Sequence, residues 1–517
     1  MKLGKLLEIS GLGAQGKCEM PDGITPDTDI TGIVTSSEQV SAGSVFVCIK
    51  GLHADGHEFI NDAVRSGAVL IVAELGRDVS VGGAAALKVE NTRRAAALLY
   101  NAWYGFPADK MKIIAVTGTN GKTSVTYMLR AIFEKASYRC GLIGTVGCLS
   151  CGGRRIGTFS HDVLANMTTP DPDELFRLLR IMADDGVQYV FIEATSHASA
   201  LSKLDALHFD VAVFTNLTQD HLDFHGTMEN YFLSKAKYFG MCDRAVINCD
   251  DRYGARLADE LRSNEKCDLL TVSAKSSGAD YCACDITSLG ADGSSYTVFR
   301  KNGESIRLSV RIPGEFSVMN SLEAAAVAIE CGIPAECIKE ALSEFPGVTG
   351  RMERVPLPGN PDRAVFIDYA HTPDALENLL RCVRGFAAEN QRIILVFGCG
   401  GDRDRTKRRE MAHIASRFAD FTVITSDNSR NEDPERIISD ILKGIDKEKS
   451  YTVITDRKEA IEFAVMYSRP KDIILLAGKG HEKYEINRTG RHPFDEKEIV
   501  LEASRRLCEK SRGDIQD

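Results

Sequence analysis

The sequence predicts an α/β protein of three domains built on mostly parallel sheets. Three observations carry that reading. Short β-branched and aromatic runs alternate with segments whose apolar residues fall at helical spacing, as in buried strands joined by crossover helices. One such run, residues 113–116, leads directly into a glycine turn and a helix. A Pro- and Gly-rich stretch, Phe345-Pro346-Gly347 and then residues 356–361, interrupts the pattern before it resumes. The 517 residues leave room for three or four domains at roughly 100 to 200 residues each.

Taken in order, residues 1–108 hold two apolar runs, 45–49 and 69–73, with a helical segment over 59–66 between them, and read as a small α/β domain. A central domain, 109–345, has buried strands at 113–116, 190–192 and 211–214. It closes with a hairpin, 296–299 and 305–310 across Asn302-Gly303, and a helix over 317–331. The third domain, 346–517, alternates helices with strands at 365–368, 393–397, 421–425, 451–454 and 473–477, which predicts a Rossmann-like doubly wound sheet. The tail after Lys510 is expected to fray.

Composition removes several function classes. Apolar residues at 44% and charged residues at 26% exclude a disordered or collagen-like chain. Lys and Arg number 63 against 73 Asp and Glu, a net charge of -10, and no basic stripe offsets it, so no nucleic-acid partner is expected. The cluster Arg403, Arg405, Lys407, Arg408 and Arg409, interleaved with Asp402 and Asp404, reads as an anion pocket. No apolar run approaches the roughly 20 residues of a membrane span, and the first ten residues are too short and charged for a signal sequence. A cytoplasmic protein whose 15 cysteines stay thiols is expected. Cys148 and Cys151 make one C-x-x-C without a second pair or a nearby His, and read as plain loop rather than zinc or redox chemistry.

The sharpest motif is Thr117-Gly118-Thr119-Asn120-Gly121-Lys122-Thr123-Ser124 after the strand at 113–116, followed by Val125, Met128, Leu129, Ile132 and Phe133 at helical spacing. Backbone N–H groups and a helix N-terminus cradle phosphates, Lys122 reaches the β/γ-phosphates, and the Thr123 hydroxyl suits Mg²⁺. Val116 stands where the common P-loop has its first Gly. The next two strands end at Glu193 and Asn216, on the same sheet edge, and the latter opens a loop holding His221. Each can reach a nucleotide-held metal, or be a strand-end cap and a satisfied loop histidine.

The following helix places Met228, Tyr231, Phe232, Lys235 and Phe239 on one face, so Lys235 points inward while Lys237 points out. Its stem either snorkels or its buried amine is deprotonated and does chemistry. In the third domain, Gly398-Cys399-Gly400-Gly401-Asp402-Arg403 and Gly478-Lys479-Gly480-His481-Glu482 each follow a strand, with Asp427-Asn428-Ser429-Arg430 after the strand between them. Arg403, Arg430 and Glu482 suit a zwitterionic amino acid, the alternative being a structural Arg–carboxylate network.

The 117–124 motif, the stretch Asn216-Leu217-Thr218-Gln219-Asp220-His221-Leu222-Asp223-Phe224-His225-Gly226, Asp368-Tyr369-Ala370-His371-Thr372-Pro373 and the Gly478 to Glu482 loop together resemble the Mur ligases of peptidoglycan synthesis, in order along nearly the whole chain. Within that family the likeness runs to members that add the third stem-peptide residue. The resemblance implies an ATP-dependent amide ligase of cell wall biogenesis. ATP phosphorylates the D-Glu γ-carboxylate of UDP-N-acetylmuramoyl-L-alanyl-D-glutamate, and the amine of meso-diaminopimelate attacks the acyl phosphate. It also implies a monomer whose first domain binds the UDP-sugar.

By that resemblance Gly118, Thr119, Asn120, Gly121, Lys122, Thr123, Ser124, Asn320, Arg351, Asp368 and His371 bind ATP. Thr123 and Glu193 hold one Mg²⁺, and Glu193, His221 and a carbamylated Lys235 hold a second. Ser37, Thr168, Thr169, Ser196 and Lys203 hold the muropeptide, and Arg403, Asp427, Asn428, Arg430, Gly478 and Glu482 the amino acid. The chain departs from the family pattern at Ser36-Ser37-Glu38 (Asp-Ser-Arg expected), at Leu201 and Lys203 (Gln and Arg) and at Ser429 (Pro). Alternatives are a lysine-adding ligase, a folylpolyglutamate or cyanophycin-type synthetase, a paralogue with another acceptor, and a nucleotide-switched binding protein without ligase activity.

Overall fold

The computed structural model describes all residues except 16, 22, 52–53, 78–81, 158–167, 266, 361 and 514–517. The chain is mixed α/β with mostly parallel sheets and divides into two compact units, Met1–Thr271 and Val272–Asp517.

The first unit opens with β1 (Lys17–Glu19), β2 (Gly32–Val34), β3 (Ser44–Val47), β4 (Leu70–Glu74) and β5 (Ala85–Val89) in the order β1-β5-β4-β3-β2, parallel except for β1. The segment expected as one helix over 59–66 is a 3-10 turn, Gly56–Phe59, leading into Ile60–Arg65, because the Asp55 carboxylate accepts from His57 N and winds the entry tightly. A second sheet follows with β6 (Lys112–Thr117), β7 (Cys140–Gly144), β8 (Gly147–Leu149), β9 (Arg155–Ile156), β10 (Tyr189–Glu193), β11 (Phe209–Phe214) and β12 (Cys242–Asn248). From β12 the order is β11-β6-β10-β7-β8-β9, parallel as far as β7. One apolar core runs through both sheets, from Leu6, Val47 and Leu99 to Ile113, Phe176 and Phe214. Registers Glu193↔Val116 and Phe214↔Thr117 bring three strand ends to one edge. Cys148 is not in plain loop, as expected, but on β8, whose ladder to β9 satisfies the backbone there.

In the second unit the end of β13 (Asp268–Ser273) pairs with β14 (Tyr281–Ser288), which continues antiparallel into β15 (Ser294–Arg300) and β16 (Ser305–Val310). The Asn302-Gly303 turn forms as expected, with Gly303 at φ +93. Helix Glu315–Glu330 then buries Val318, Leu322 and Ala325. The last large sheet holds β17 (Glu353–Val355), β18 (Ala364–Asp368), β19 (Ile393–Phe397), β20 (Phe421–Ile424), β21 (Tyr451–Val453) and β22 (Ile473–Ala477) in the order β17-β18-β22-β19-β20-β21. All pairs are parallel except β17 with β18. Registers Asp368↔Ala477, Phe397↔Ala477 and Phe397↔Ile424 align four strand ends.

In the last domain the strands not anticipated are β17 and a hairpin of β23 (Tyr484–Asn487) and β24 (Gly490–Pro493). The hairpin pins itself to the amino-acid loop by Arg430 N donating to Ile486 O (3.0 Å) and Ile486 N donating to Asn428 Oδ1 (2.9 Å). The closing helix stays regular through Gly513, past the point where fraying was expected. Among the described residues no helix is long and apolar enough to cross a membrane.

Candidate active site

Two glycines shape the phosphate loop. Gly118 at φ +149 and Gly121 at φ +87 occupy conformations that L side chains rarely adopt, and a Cβ on Gly118 would lie 1.9 Å from Thr215 Oγ1. The end of β11 clamps the loop from below. Thr215 Oγ1 donates to Asn120 O (2.6 Å), Thr119 N donates to Asn216 O (2.9 Å), and Asn120 N donates to Asn216 Oδ1 (3.0 Å). Helix Lys122–Lys135 starts at once, with Thr123 buried and Ser124 half-buried in its first turn. The Lys122 ammonium folds over its own loop, donating to Gly118 O and Thr119 O, both at 2.9 Å.

Glu193, at the end of β10, is fully buried. Its Oε2 accepts from Thr123 Oγ1 (3.0 Å) and Thr145 Oγ1 (2.8 Å), and its Oε1 from Thr145 N (3.0 Å). Among the described residues it forms no ion pair, so a buried carboxylate is met by hydroxyls and one N–H, an arrangement with room for a cation's charge. Gly144 is required beside it, since a Cβ there would sit 2.2 Å from Glu193 Oε1. Thr145 went unnoticed in the sequence because it belongs to no motif and acts only after β7 and β10 pair. Its hydroxyl also meets Thr168 Oγ1 at 3.1 Å, joining Glu193 to the threonine pair.

Lys235 is buried at 1% exposure, and its Nζ donates to Gly118 O at 2.7 Å, 4.7 Å from the Tyr231 ring centre. This is no snorkelling lysine. Burial, reinforced by the nearby Lys122 cation, pushes its pKa well below the ordinary lysine value, toward a neutral amine. Lys237 points outward to Asp205 at 2.6 Å. Tyr231, which the sequence marks only as apolar face, also hydrogen-bonds Thr119 Oγ1 at 3.1 Å.

His221 sits at φ +51 in the loop after β11, 3.5 Å from Asp220, with the ring of His197 at 4.7 Å. Burial of the His197 ring, with His221 and His225 alongside, pushes its pKa down to about 4. The structure therefore joins Thr123 to Glu193 and Lys235 to Gly118, while His221 contacts Asp220 and His197. Among the described residues no group of three His, Cys, Asp or Glu side chains is assembled as a metal site.

The expected muropeptide residues lie on this unit. Thr169 Oγ1 donates to Glu193 O (2.7 Å), and buried Ser196 meets His225 Nε2 at 2.9 Å. Lys203 is buried and pairs with Asp171 at 2.9 Å. Ser37 is half-buried at the start of a 3-10 turn, Ser37–Gln39.

On the second unit, Asn320 is buried on helix Glu315–Glu330. Asp368 accepts from Met352 N (2.8 Å) and Ala370 N (2.9 Å), and burial raises its pKa against the pull of Arg351. Arg351 stacks 4.9 Å over Tyr369, whose carbonyl lies 2.8 Å from His371 Nδ1. The loops after β19, β20 and β22 converge. Asn428 Nδ2 donates to Glu482 Oε2 (2.7 Å), Arg430 Nη1 donates to Gly401 O (2.9 Å), and Arg430 holds φ +51. A Cβ on Gly478 would meet Asp427 Oδ2 at 2.6 Å. Arg403 is exposed. Two arginines of the basic cluster are taken up in ion pairs within the protein. Arg408 is buried against Glu432 (2.9 Å) and Asp440 (3.1 Å) and Arg405 pairs with Glu432 (3.2 Å), so these two charges are matched, while Lys407 donates to His371 O (2.8 Å).

Three family models match in chain order: the Mur ligase family catalytic domain at 29–105, the Mur ligase middle domain at 116–328 and the Mur ligase glutamate ligase domain at 350–480. A curated protein from Clostridioides difficile, named UDP-N-acetylmuramoyl-L-alanyl-D-glutamate--2,6-diaminopimelate ligase, is 41% identical over 477 residues, 92% of this chain and 95% of its own. A protein of the same name from Caldanaerobacter subterraneus is 42% identical over 480 residues, with the same coverage. A solved structure bearing that name superposes with a TM-score of 0.71 at 29% identity, covering 98% of this chain and 99% of that one. The MurF ligase from Thermotoga maritima in complex with ADP shares the fold at 18% identity and a TM-score of 0.56, covering 94% and 99%. With family models along most of its length and relatives above 40% identity over nine-tenths of it, the chain belongs to the Mur ligase family.

Proposed function

We propose that this chain adds meso-diaminopimelate to the D-Glu γ-carboxylate of UDP-N-acetylmuramoyl-L-alanyl-D-glutamate, with ATP converted to ADP and phosphate. It is an ATP-dependent ligase of peptidoglycan precursor synthesis, as are the relatives whose names it matches. The observation that carries the reading is the buried Lys235 amine set on the phosphate loop, an arrangement that a simple nucleotide switch has no use for. We assign three domains, 1–108, 109–345 and 346–517, and a monomer working in the cytoplasm.

The reaction must bring an anionic carboxylate to an anionic γ-phosphate. The N-terminus of helix Lys122–Lys135 faces the phosphates, and Lys122 turns from its own loop carbonyls to the β/γ-phosphates, offsetting that repulsion. The γ-carboxylate attacks phosphorus and ADP departs. The diaminopimelate amine then attacks the acyl carbon, loses a proton and expels phosphate. Thr123 and Glu193 would hold a first Mg²⁺, and Glu193, His221 and a carbamylated Lys235 a second; bound there, the ions would neutralise developing phosphate charge. A neutral Lys235 amine can add to CO₂, losing a proton to leave a carbamate. That turns a neutral amine, which shares Gly118 O with Lys122, into an anion, and gives a lysine on a buried face a use.

Thr168, Thr169, Ser196, Lys203 and Ser37 are assigned to the muropeptide, and Arg403, Asp427, Asn428, Arg430, Gly478 and Glu482 to the amino acid. Arg430 reads the distal carboxylate that lysine lacks, so Arg430→Ala is expected to cost about 2 kcal/mol in kcat/KM for diaminopimelate, roughly 30-fold. An unchanged kcat/KM removes Arg430 from the site.

Phosphate release from ATP with the muropeptide present, measured with meso-diaminopimelate, with L-lysine and with neither, tests the whole reading. Release requiring diaminopimelate is expected. A preference for lysine would move specificity to the loop where Ser429 replaces Pro, and silence from folded, ATP-binding protein would point to another acceptor.

A further inference from the structure

Beneath the amino-acid loops lie four buried charges: Lys479 at 0% exposure, Arg457 at 1%, Glu496 at 3% and Asp427 at 7%. Two cations and two anions leave the set neutral. Arg457 ties strand ends together, donating to Glu496 Oε1 (2.8 Å), Ser426 O (3.2 Å) and Ala477 O (2.9 Å). Lys479 does something more specific. Its ammonium donates to Asn428 Oδ1 (2.9 Å) and Tyr484 O (3.0 Å) and lies 3.6 Å from Asp427 Oδ1, so it bridges the loop after β20 and the start of the β23–β24 hairpin.

A side-chain amide has nearly the same shape either way round, and its neighbours decide which end is oxygen. At Asn428 the choice is forced. Lys479 Nζ and Ile486 N are both donors, both 2.9 Å from one end of the amide, which must be the oxygen. The NH₂ is thereby turned to Glu482 Oε2 at 2.7 Å. A flipped amide would set donors against a buried ammonium and leave oxygen facing a carboxylate. The same residue's backbone oxygen accepts from Arg430 Nη1 at 3.4 Å, and Arg430 N is held by Ile486 O. From one buried ammonium, hydrogen bonds thus run to two of the groups assigned to the amino acid, Glu482 and Arg430. Burial would raise the Asp427 carboxyl, but Lys479 and Arg457 pull it below its ordinary value, so the anion that balances Lys479 stays charged.

We propose that Lys479 is the positioning residue of the amino-acid subsite: its ammonium fixes the Asn428 amide and through it aims Glu482 and Arg430 at the incoming diamino acid. This rests on the assignment of Asn428, Arg430 and Glu482 made above. Lys479 touches no substrate in this scheme and acts only through Asn428.

The test is Lys479→Met combined with Asp427→Asn, which removes one buried cation with one buried anion, compared with Asp427→Asn alone in the full-length enzyme. The double variant is expected to unfold in a single cooperative transition. Relative to Asp427→Asn, its KM for diaminopimelate should rise about tenfold or more, as when a partner that orients a ligand group is lost, with KM for ATP and kcat at saturating diaminopimelate within about threefold. An unchanged KM for diaminopimelate, equal rises in every KM, or a double variant that does not fold would each overturn the proposal and leave Lys479 a stabilising residue only. Glu482→Gln and Arg430→Ala separate the two levels. If they raise KM for diaminopimelate while the Lys479 variant does not, only the positioning role fails; if they too leave it unchanged, the site assignment itself falls.

Discussion

Lys235→Ala is expected to lower kcat by at least about 10³-fold, because it removes a group set against the loop where phosphate charge develops. The fold should survive, since Ala keeps the helix and the loss of a buried amine leaves only one carbonyl, Gly118 O, short of a donor that Lys122 still supplies. Short carboxylic acids such as acetate should restore part of the activity by occupying the vacated space with the anion that a carbamate would provide. Steady-state phosphate release with and without acetate reads both effects. Full activity without rescue would sink the carbamate, and with it the argument for a lysine on this face.

The second large effect is Glu193→Gln, for which kcat should fall about 10²- to 10³-fold with the fold intact. Glutamine is the same size, so the contact with Gly144 is unchanged, and the hydroxyls of Thr123 and Thr145 can rotate to accept from the new NH₂. What is lost is the negative charge. If Glu193 acts as a cation's ligand, raising Mg²⁺ should recover part of the rate. A variant with wild-type kcat and wild-type Mg²⁺ dependence would make Glu193 a mere strand-end brace.

Much of this was legible in the residues because local rules dominate where a strand meets a glycine turn. The phosphate loop, the strand ends at Glu193 and the three loops of the last sheet follow from runs of buried β-branched residues and from Gly118, Gly121 and Gly478. Lys235 was legible as inward from spacing alone. What escaped has a common cause. Thr145, Lys479 and Arg457 are ordinary residues in sequence and gain their roles from partners 48, 51 and 39 positions away: Glu193, Asn428 and Glu496. Arg408 of the basic cluster belongs with these, since Glu432 and Asp440, which neutralise it, lie 24 and 32 residues further on. The β23–β24 hairpin carried no warning because its residues are half-buried or exposed and lack a strongly apolar face.

That hairpin is fastened to the amino-acid loop through its own main chain, Ile486 giving one bond and taking another, and a main-chain bond does not depend on which side chain the residue carries. Its tip, Arg488-Thr489-Gly490, is exposed. Sequence drift at Thr489 or Gly490 is therefore buffered from the cradle, unlike change at Arg488, whose Nε donates to Asn431 O (3.0 Å), and a fluorophore attached at Thr489 would ride on the loop that grips the amino acid and report its order without occupying it.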